Sequence, residues 1–307
     1  MIEGNQIQYV KQQHIDKVKW DDCIHNAPNG LNYAYSFYLD TMAKNWDALV
    51  LTDYEAVMPL TCNSKYGFSY LYQPAFTASL GIFGKNISEN IVSDFLKAIP
   101  SKFRLIEISL NAGNNFPAAS ADFFTKVNYT LALDKDYPSI YNAYRDNHKR
   151  NITKAMQAGC IVKKDLPVEE IIRINKEQLA HISIEKPEDY SNFKKLYELL
   201  EKNSKAKSYS ITDSHNKLFA SAIFFFSHNR AYYIMVGNHP DGKTIGASHA
   251  LIDAFIKDHA GQNLILDFEG SDIRNLAFFY SGFGAKEEFY PFLKINKLPF
   301  FIRWLKR

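Results

Sequence analysis

The stretch from Arg230 to His259, RAYYIMVGNHPDGKTIGASHALIDAFIKDH, decides the fold. Ala231-Tyr232-Tyr233-Ile234-Met235-Val236 is a short β-rich run, and residues 237–242 (GNHPDG) are dense in turn formers. After them Ile245, Ala247, Leu251, Ile252 and Ile256 recur at mostly three- and four-residue spacing, which predicts an amphipathic helix. The unit is strand, glycine-punctuated turn, helix. Where turn meets helix lies Lys243-Thr244-Ile245-Gly246-Ala247-Ser248. A helix start presents unpaired N–H groups and the positive end of a dipole, and a glycine there lets a phosphate approach the backbone. Lys243 adds a point charge. The same residues also read as a plain helix start with a packing glycine, and the surrounding chain has to decide between the two.

Outward from that unit the chain continues in α/β order. Before it, residues 208–212 and 219–226 form a hairpin across Asp213-Ser214-His215-Asn216; after it come a strand at 263–268, a helix at 272–280 and a strand at 287–295. Upstream, residues 139–158 read as one long helix closed by Gly159, followed by helices at 168–180 and 192–201. The first 137 residues repeat the pattern. A strand at 6–10, helices at 16–25 and 35–42, a hairpin of 47–52 and 56–61, a strand at 68–72, a loop, a helix at 86–99, a strand at 104–110, a short helix at 119–126 and a strand at 129–133 follow one another. Both halves thus run hairpin, strand, loop, helix, strand, short helix, strand, which predicts a duplicated unit with domains at 1–137 and 138–307. The second half carries the chemistry. Its loop holds Lys243 where the first loop, PAFTASLGIFG, has no basic residue, and Phe124 stands where the second half has Tyr280.

Composition narrows the function. With 46% hydrophobic residues, 23 Phe and 19 Tyr, the chain can build sizeable cores and is not disordered. A net charge of +3 is too mild to predict DNA binding. Three scattered cysteines and no apolar leader predict a reduced, cytoplasmic protein. The nine histidines show no H-x-x-x-H or H-E-x-x-H spacing, so no zinc is expected. A Walker A loop, a dinucleotide G-x-G-x-x-G and a G-x-S-x-G elbow are also missing.

Two side chains remain as chemistry. Glu269, in Asp267-Phe268-Glu269-Gly270-Ser271, follows a strand end, where α/β sheets place ligands, and a carboxylate there can act as general base. In the quieter reading Asp267 caps a turn, Glu269 faces water and Ser271 caps the next helix. Tyr280 precedes Gly282-Phe283-Gly284, and its phenol can protonate a leaving group. Arg145, Lys149 and Lys154, within YRDNHKRNITKA, make the helix after Pro138 basic, either as a groove for an anionic substrate or as a solvated face. The last residues, LPFFIRWLKR, mix aromatic and basic side chains that suit peripheral contact with a membrane or a fold-back onto the core.

The KTIGAS segment resembles the acyl-CoA-binding motif of GNAT-type acyltransferases, with Lys243 in place of Arg or Gln and Ser248 in place of the last small residue. DIRNLAFFYSGFGAKEEFYPFLKI looks like that family's closing segment, and RDNHKRNITKAMQAGCIV is similar to the start of the second domain of Fem-type aminoacyltransferases. The resemblance implies two tandem GNAT-like domains of α/β (α+β) class, each a mixed twisted sheet flanked by helices, the first degenerate. It implies N-acyl transfer from acyl-CoA or aminoacyl-tRNA to an amine, such as that of a lipid-linked or cell-wall precursor. Lys243, Thr244, Gly246, Ala247 and Ser248 would hold the donor, with Glu269 as base and Tyr280 as acid. The rival expectation is a non-catalytic protein that keeps the duplicated fold and holds a cell-wall or polysaccharide ligand in the cleft between its copies.

Overall fold

The computed structural model describes residues 7–114, 122–180, 185–270 and 272–300. In chain order these form β1 (Ile7–Val10), α1 (Lys17–Asn26), α2 (Ser36–Met42), β2 (Trp46–Leu51), β3 (Ala56–Lys65), β4 (Phe68–Tyr72), β5 (Phe83–Gly84), α3 (Glu89–Ala98), β6 (Phe103–Ser109) and β7 (Phe123–Ala132). They continue as α4 (Tyr137–Asn142), α5 (Asp146–Gln157), β8 (Ile161–Lys164), α6 (Val168–Leu179), α7 (Pro187–Lys202), β9 (Ala206–Thr212), β10 (Leu218–Ser227), β11 (Arg230–Asn238), α8 (Pro240–Ile245), α9 (Ala247–His259), β12 (Ile265–Asp267), α10 (Arg274–Ser281) and β13 (Lys286–Asn296).

The chain divides into two compact units, one of the residues up to Lys126 together with those from Phe289, the other of residues 127–288. The sequence pattern sets the change at 137/138 and gives the whole C-terminus to the second domain. The division falls earlier, and the chain from Phe289 returns to the first unit. Pro138 starts only a helix, lying in the first turn of α4, where its missing N–H costs nothing.

In the first unit the strands run β1-β2-β3-β4-β6-β13, all antiparallel except β4 beside β6. That parallel pair needs a crossover, and α3 supplies it. Ser88 caps α3 by accepting the Ile91 N–H, and Val92 and Phe95 turn into a core with Leu49, Met58, Ile106 and Ile108. In the second unit the order is β7-β12-β11-β10-β9-β8, again with one parallel pair, β11 beside β12, bridged by α8 and α9. The two units share the order of antiparallel hairpin, parallel crossover pair and antiparallel neighbour, which bears out the internal repeat.

The hydrophobic centre of the second unit lies under α9. Phe255 stacks on Phe224 of β10, ring centroids 3.8 Å apart, with Tyr209, Ile252 and Ile256 around them. Each such side chain contributes about 2 kcal/mol by leaving water. Helix α9 is buried along most of its length, its apolar side chains toward the sheet and α5 packed against it. Among the described residues no helix is long and apolar enough to cross a membrane.

Three expectations need correction. The long helix at 139–158 is two, α4 and α5, because Arg145 is held extended (ψ 147°) with its N–H donated to the Gly282 carbonyl. The short helix at 119–126 is not formed where it is described: Phe123 to Lys126 begin the strand β7, so Phe124 is no counterpart of the helical Tyr280. Residues 240–242, expected as a turn, form the first turn of α8. Ser271 and the tail from Phe301 lie outside the described residues.

Candidate active site

Parallel pairing of β11 with β12 ends at Tyr232 and Asp267, while β11 runs on to Asn238. The two strands therefore part at their C-terminal ends, the place where open α/β sheets receive ligands. On its other edge β11 pairs with β10, and the register jumps from Met235 to Tyr233, leaving Ile234 as a one-residue bulge. The bulge changes which face side chains take. Ala231 and Tyr233, then Val236, belong to the core under α9. At a bulge the extra residue leaves the ladder, so Ile234 has no opposite number on β10.

Glu269 and Tyr280 meet here. After β12, Asp267 accepts the Glu269 N–H at 2.9 Å and fixes Glu269 (φ 67°) and Gly270 (φ 86°) in left-handed conformations. Asp267 is held in turn by Arg230 (2.7 Å) and Asn128 (2.8 Å), and Arg230 also pairs with Glu288 (2.6 Å). The cluster ties β7, β11, β12 and the start of β13 beneath the Glu269 turn. Tyr280, buried on α10, stacks on Phe268 at 4.5 Å and meets the Tyr233 ring edge-on at 6.5 Å. Burial raises the Glu269 carboxyl well above the usual carboxylate range. Burial and the nearby Glu269 charge raise the Tyr280 phenol, and burial and Tyr280 raise that of Tyr233. A carboxyl with a raised pKa is a stronger base once ionised, and a phenol that keeps its proton can donate it, which are the two roles a base–acid pair divides.

The residues expected to hold the donor are placed differently. Lys243 and Thr244 are exposed on α8, and the Thr244 hydroxyl donates to the Asp241 carbonyl. Gly246 is left-handed (φ 81°), between α8 and α9, and a Cβ on it would lie 2.4 Å from the Asn151 carbonyl of α5. Its glycine is thus explained by the close approach of α5, and a helix has already formed where an open loop was expected. Ala247 is buried, and the Ser248 hydroxyl donates to the Asn238 side chain at 2.6 Å. At the end of β11, helix α6 takes up main-chain groups. Asn175 donates to the Val236 carbonyl at 2.7 Å, and Gln178 accepts the Asn238 N–H at 2.6 Å.

The basic helix divides in two. Arg145, exposed, lies along α10, its guanidinium on the Phe278 carbonyl (3.2 Å) and over the Phe278 ring (4.5 Å). Lys149 donates to the Asn142 carbonyl that ends α4. Lys154 is exposed, as is Arg150. Among the described residues no group of three His, Cys, Asp or Glu is placed to hold a metal ion.

Sequence reasoning missed Tyr233 and Arg230, although both lie in the stretch that decides the fold. Tyr233 is one apolar residue in an unbroken apolar run, and a bulge leaves no mark in such a run. The partners of Arg230, Asp267 and Glu288, are distant in sequence. In the first unit the described residues close the corresponding place. There the Leu80 N–H donates to the Ser109 carbonyl at 2.8 Å and Leu80 bridges to Leu110, so the loop after β4 fills the space beside β6.

No protein-family model and no curated protein sequence matches the chain. Solved structures do. A crystal structure of FemX matches over 98% of this chain and 100% of that one at 12% identity, with a TM-score of 0.67. The fold is FemX-like. A conserved protein of unknown function from Bacteroides thetaiotaomicron covers 95% of this chain at 10% identity, TM-score 0.58. The C-terminal domain of a putative lysylphosphatidylglycerol synthetase from Agrobacterium fabrum covers 94% at 9% identity, TM-score 0.55. At such identities the likeness is one of fold. Within this FemX-like fold the second copy brings Glu269 and Tyr280 together, and the functional reading rests on them.

Proposed function

We propose that the protein transfers an acyl or aminoacyl group from an activated donor to an amine, with Glu269 as general base and Tyr280 as general acid. One observation carries this reading: Glu269, whose carboxyl is raised by burial and is therefore a stronger base once ionised, and Tyr280, whose phenol keeps its proton, come together where β11 and β12 part. In the transfer, the amine nitrogen attacks the donor carbonyl as the ionised carboxylate of Glu269 takes its proton. The tetrahedral oxygen is met by a main-chain N–H at the β11 bulge, and Tyr280 protonates the departing thiolate or alkoxide.

Between donors, the capped end of β11 favours an aminoacyl ester over acyl-CoA. An extended pantetheine arm is held most simply by pairing with free strand backbone, and here Asn175 and Gln178 occupy the Val236 carbonyl and the Asn238 N–H. Arg150, Lys154 and Lys243, exposed on α5 and α8, suit the phosphates of aminoacyl-tRNA. The FemX-like fold and the likeness to a putative lysylphosphatidylglycerol synthetase domain support an acceptor amine on a cell-wall or lipid-linked precursor. The test is transfer of labelled amino acid from a charged tRNA pool, and separately of labelled acetyl from acetyl-CoA, to such acceptors. Transfer that survives in neither Glu269→Gln nor Tyr280→Phe supports the roles; full turnover by Tyr280→Phe refutes the acid.

The filled space at Gly246 also favours a second reading, a non-catalytic protein that holds a cell-wall or polysaccharide ligand. In that case Tyr280→Phe binds the ligand as the parent does and no variant transfers anything.

A further inference from the structure

The basic helix α5 stands out in the sequence for its charge, yet its most buried polar side chain is His148, 1% exposed. Its imidazole Nε2 lies 2.8 Å from the main-chain carbonyl of Phe279, the residue directly before Tyr280. A carbonyl only accepts, so Nε2 carries the proton and Nδ1 keeps its lone pair, buried and with no hydrogen-bond partner among the described residues. The ring is confined on every side. It meets Phe283 edge-on at 4.6 Å and His249 of α9 at 4.7 Å, and it occupies the space where a Cβ on Gly282 would stand, 1.9 Å from the ring. Arg145 completes the grip one turn earlier, through its N–H to the Gly282 carbonyl (2.9 Å) and its guanidinium to that of Phe278 (3.2 Å).

This geometry has a purpose a helix contact alone does not require. Helix α10 has only eight residues; Tyr280 is its one fully buried side chain, with Ala277 and Phe279 partly buried beside it, and the Phe279 ring itself lies against His148. The Phe279 carbonyl accepts only a long bond from the Gly282 N–H at 3.3 Å, and its second lone pair is left for a donor from outside the helix, which His148 supplies. We propose that His148 is a positioning residue: by donating from Nε2 to the Phe279 carbonyl it sets the rotation of the last turn of α10 and thereby the place of the Tyr280 phenol beside Glu269. The inference rests on the reading of Tyr280 as the acid for its purpose, but its geometry is tested without any transfer assay.

The measurement is ¹⁹F NMR of protein carrying 3-fluorotyrosine at position 280 alone, in the parent, His148→Gln and His148→Leu. The glutamine amide keeps an N–H donor at similar reach; leucine keeps only bulk. The expected result is a shifted and broadened resonance in the leucine variant and a return toward the parent position in the glutamine variant. A 3-fluorotyrosine placed instead at Tyr209, in the core under α9, stays unmoved in all three. An unchanged position-280 signal in His148→Leu overturns the proposal, as does a Tyr209 signal that moves with it, which marks a general loosening. Should the leucine variant not fold, two-bond ¹H–¹⁵N correlation of the parent decides: a proton on Nε2 of His148 supports the clasp, and one on Nδ1 overturns it. Where transfer is measurable, His148→Leu lowers kcat by up to about a hundredfold with donor KM little changed. Full turnover by Tyr280→Phe sinks the acid role and leaves the NMR result standing, so the two failures are distinct.

Discussion

Glu269 sits in a left-handed conformation that costs a non-glycine residue on the order of 1 kcal/mol, and Asp267 stabilises it by accepting its N–H. Its burial raises the carboxyl, so in the folded protein Glu269 stays protonated at pH values where the unfolded chain has already ionised it. Two results follow with defined sign. As a base it works only once ionised, so kcat/KM rises with pH through the raised value, and Glu269→Gln removes that limb of the profile. As a stability term it favours the fold at low pH and loses that contribution as pH climbs from the ordinary carboxylate range, so parent and Glu269→Gln melting temperatures diverge toward neutral pH, with the variant the higher. A melting curve that falls equally in both proteins counts against a buried, protonated Glu269. Arg230 gives the second residue-scale prediction. Its pairing with Asp267 and Glu288 is mostly buried, and Arg230→Met leaves both carboxylates without their countercharge, at a cost of about 3 kcal/mol in urea unfolding. Glu269 and Tyr280 were legible because a strand end and a Gly-Phe pair are local signals. Arg230 was not, since its partners lie 37 and 58 residues away along the chain.

At the scale of elements, helices and strands of the second unit were legible where periodicity and turn residues agreed, as in the hairpin turn at 213–216, where the Asp213 carboxylate accepts the His215 and Lys217 N–H groups. They were hidden where tertiary contacts override local preference. The break between α4 and α5 follows from Arg145 being drawn onto α10, and nothing in YRDNHKRN announces it. The glycine at 246 is special, as its place in the sequence suggests, but its partner is a helix carbonyl. Gly246→Ala therefore destabilises by about 2 kcal/mol or more, from left-handed strain plus the clash with Asn151, whatever ligand is present. Gly282→Ala, where φ is ordinary, costs about 1–3 kcal/mol solely by forcing the His148 ring aside. Thermal unfolding of both, with His148→Ala added to each, separates the causes: the second change relieves Gly282→Ala and leaves Gly246→Ala as it was. Because any side chain at 246 collides with backbone, charge at Lys243 is the cleaner probe of donor binding.

At the scale of the molecule, duplication was legible because the order of elements repeats, and each unit keeps one parallel crossover in an otherwise antiparallel sheet. Which copy keeps an opening was only half legible. The missing basic residue in the first loop was visible, but the closure by Leu80 and Leu110 depends on a bridge that no spacing predicts. If donor binding belongs to the second copy and uses phosphate pairing from α5 and α8, its strength must depend on salt in a countable way. Each cationic side chain withdrawn from a phosphate lowers the slope of log K against log salt by about 1. Arg150→Ala with Lys154→Ala should therefore reduce the slope for aminoacyl-tRNA by about 2, and Lys243→Ala should take away about 1 more. A slope that stays put in the triple variant removes these three side chains from the donor site. A melting temperature that climbs with CoA in the parent but stays flat in Lys243→Ala instead restores the phosphate reading of that loop and makes a thioester the donor.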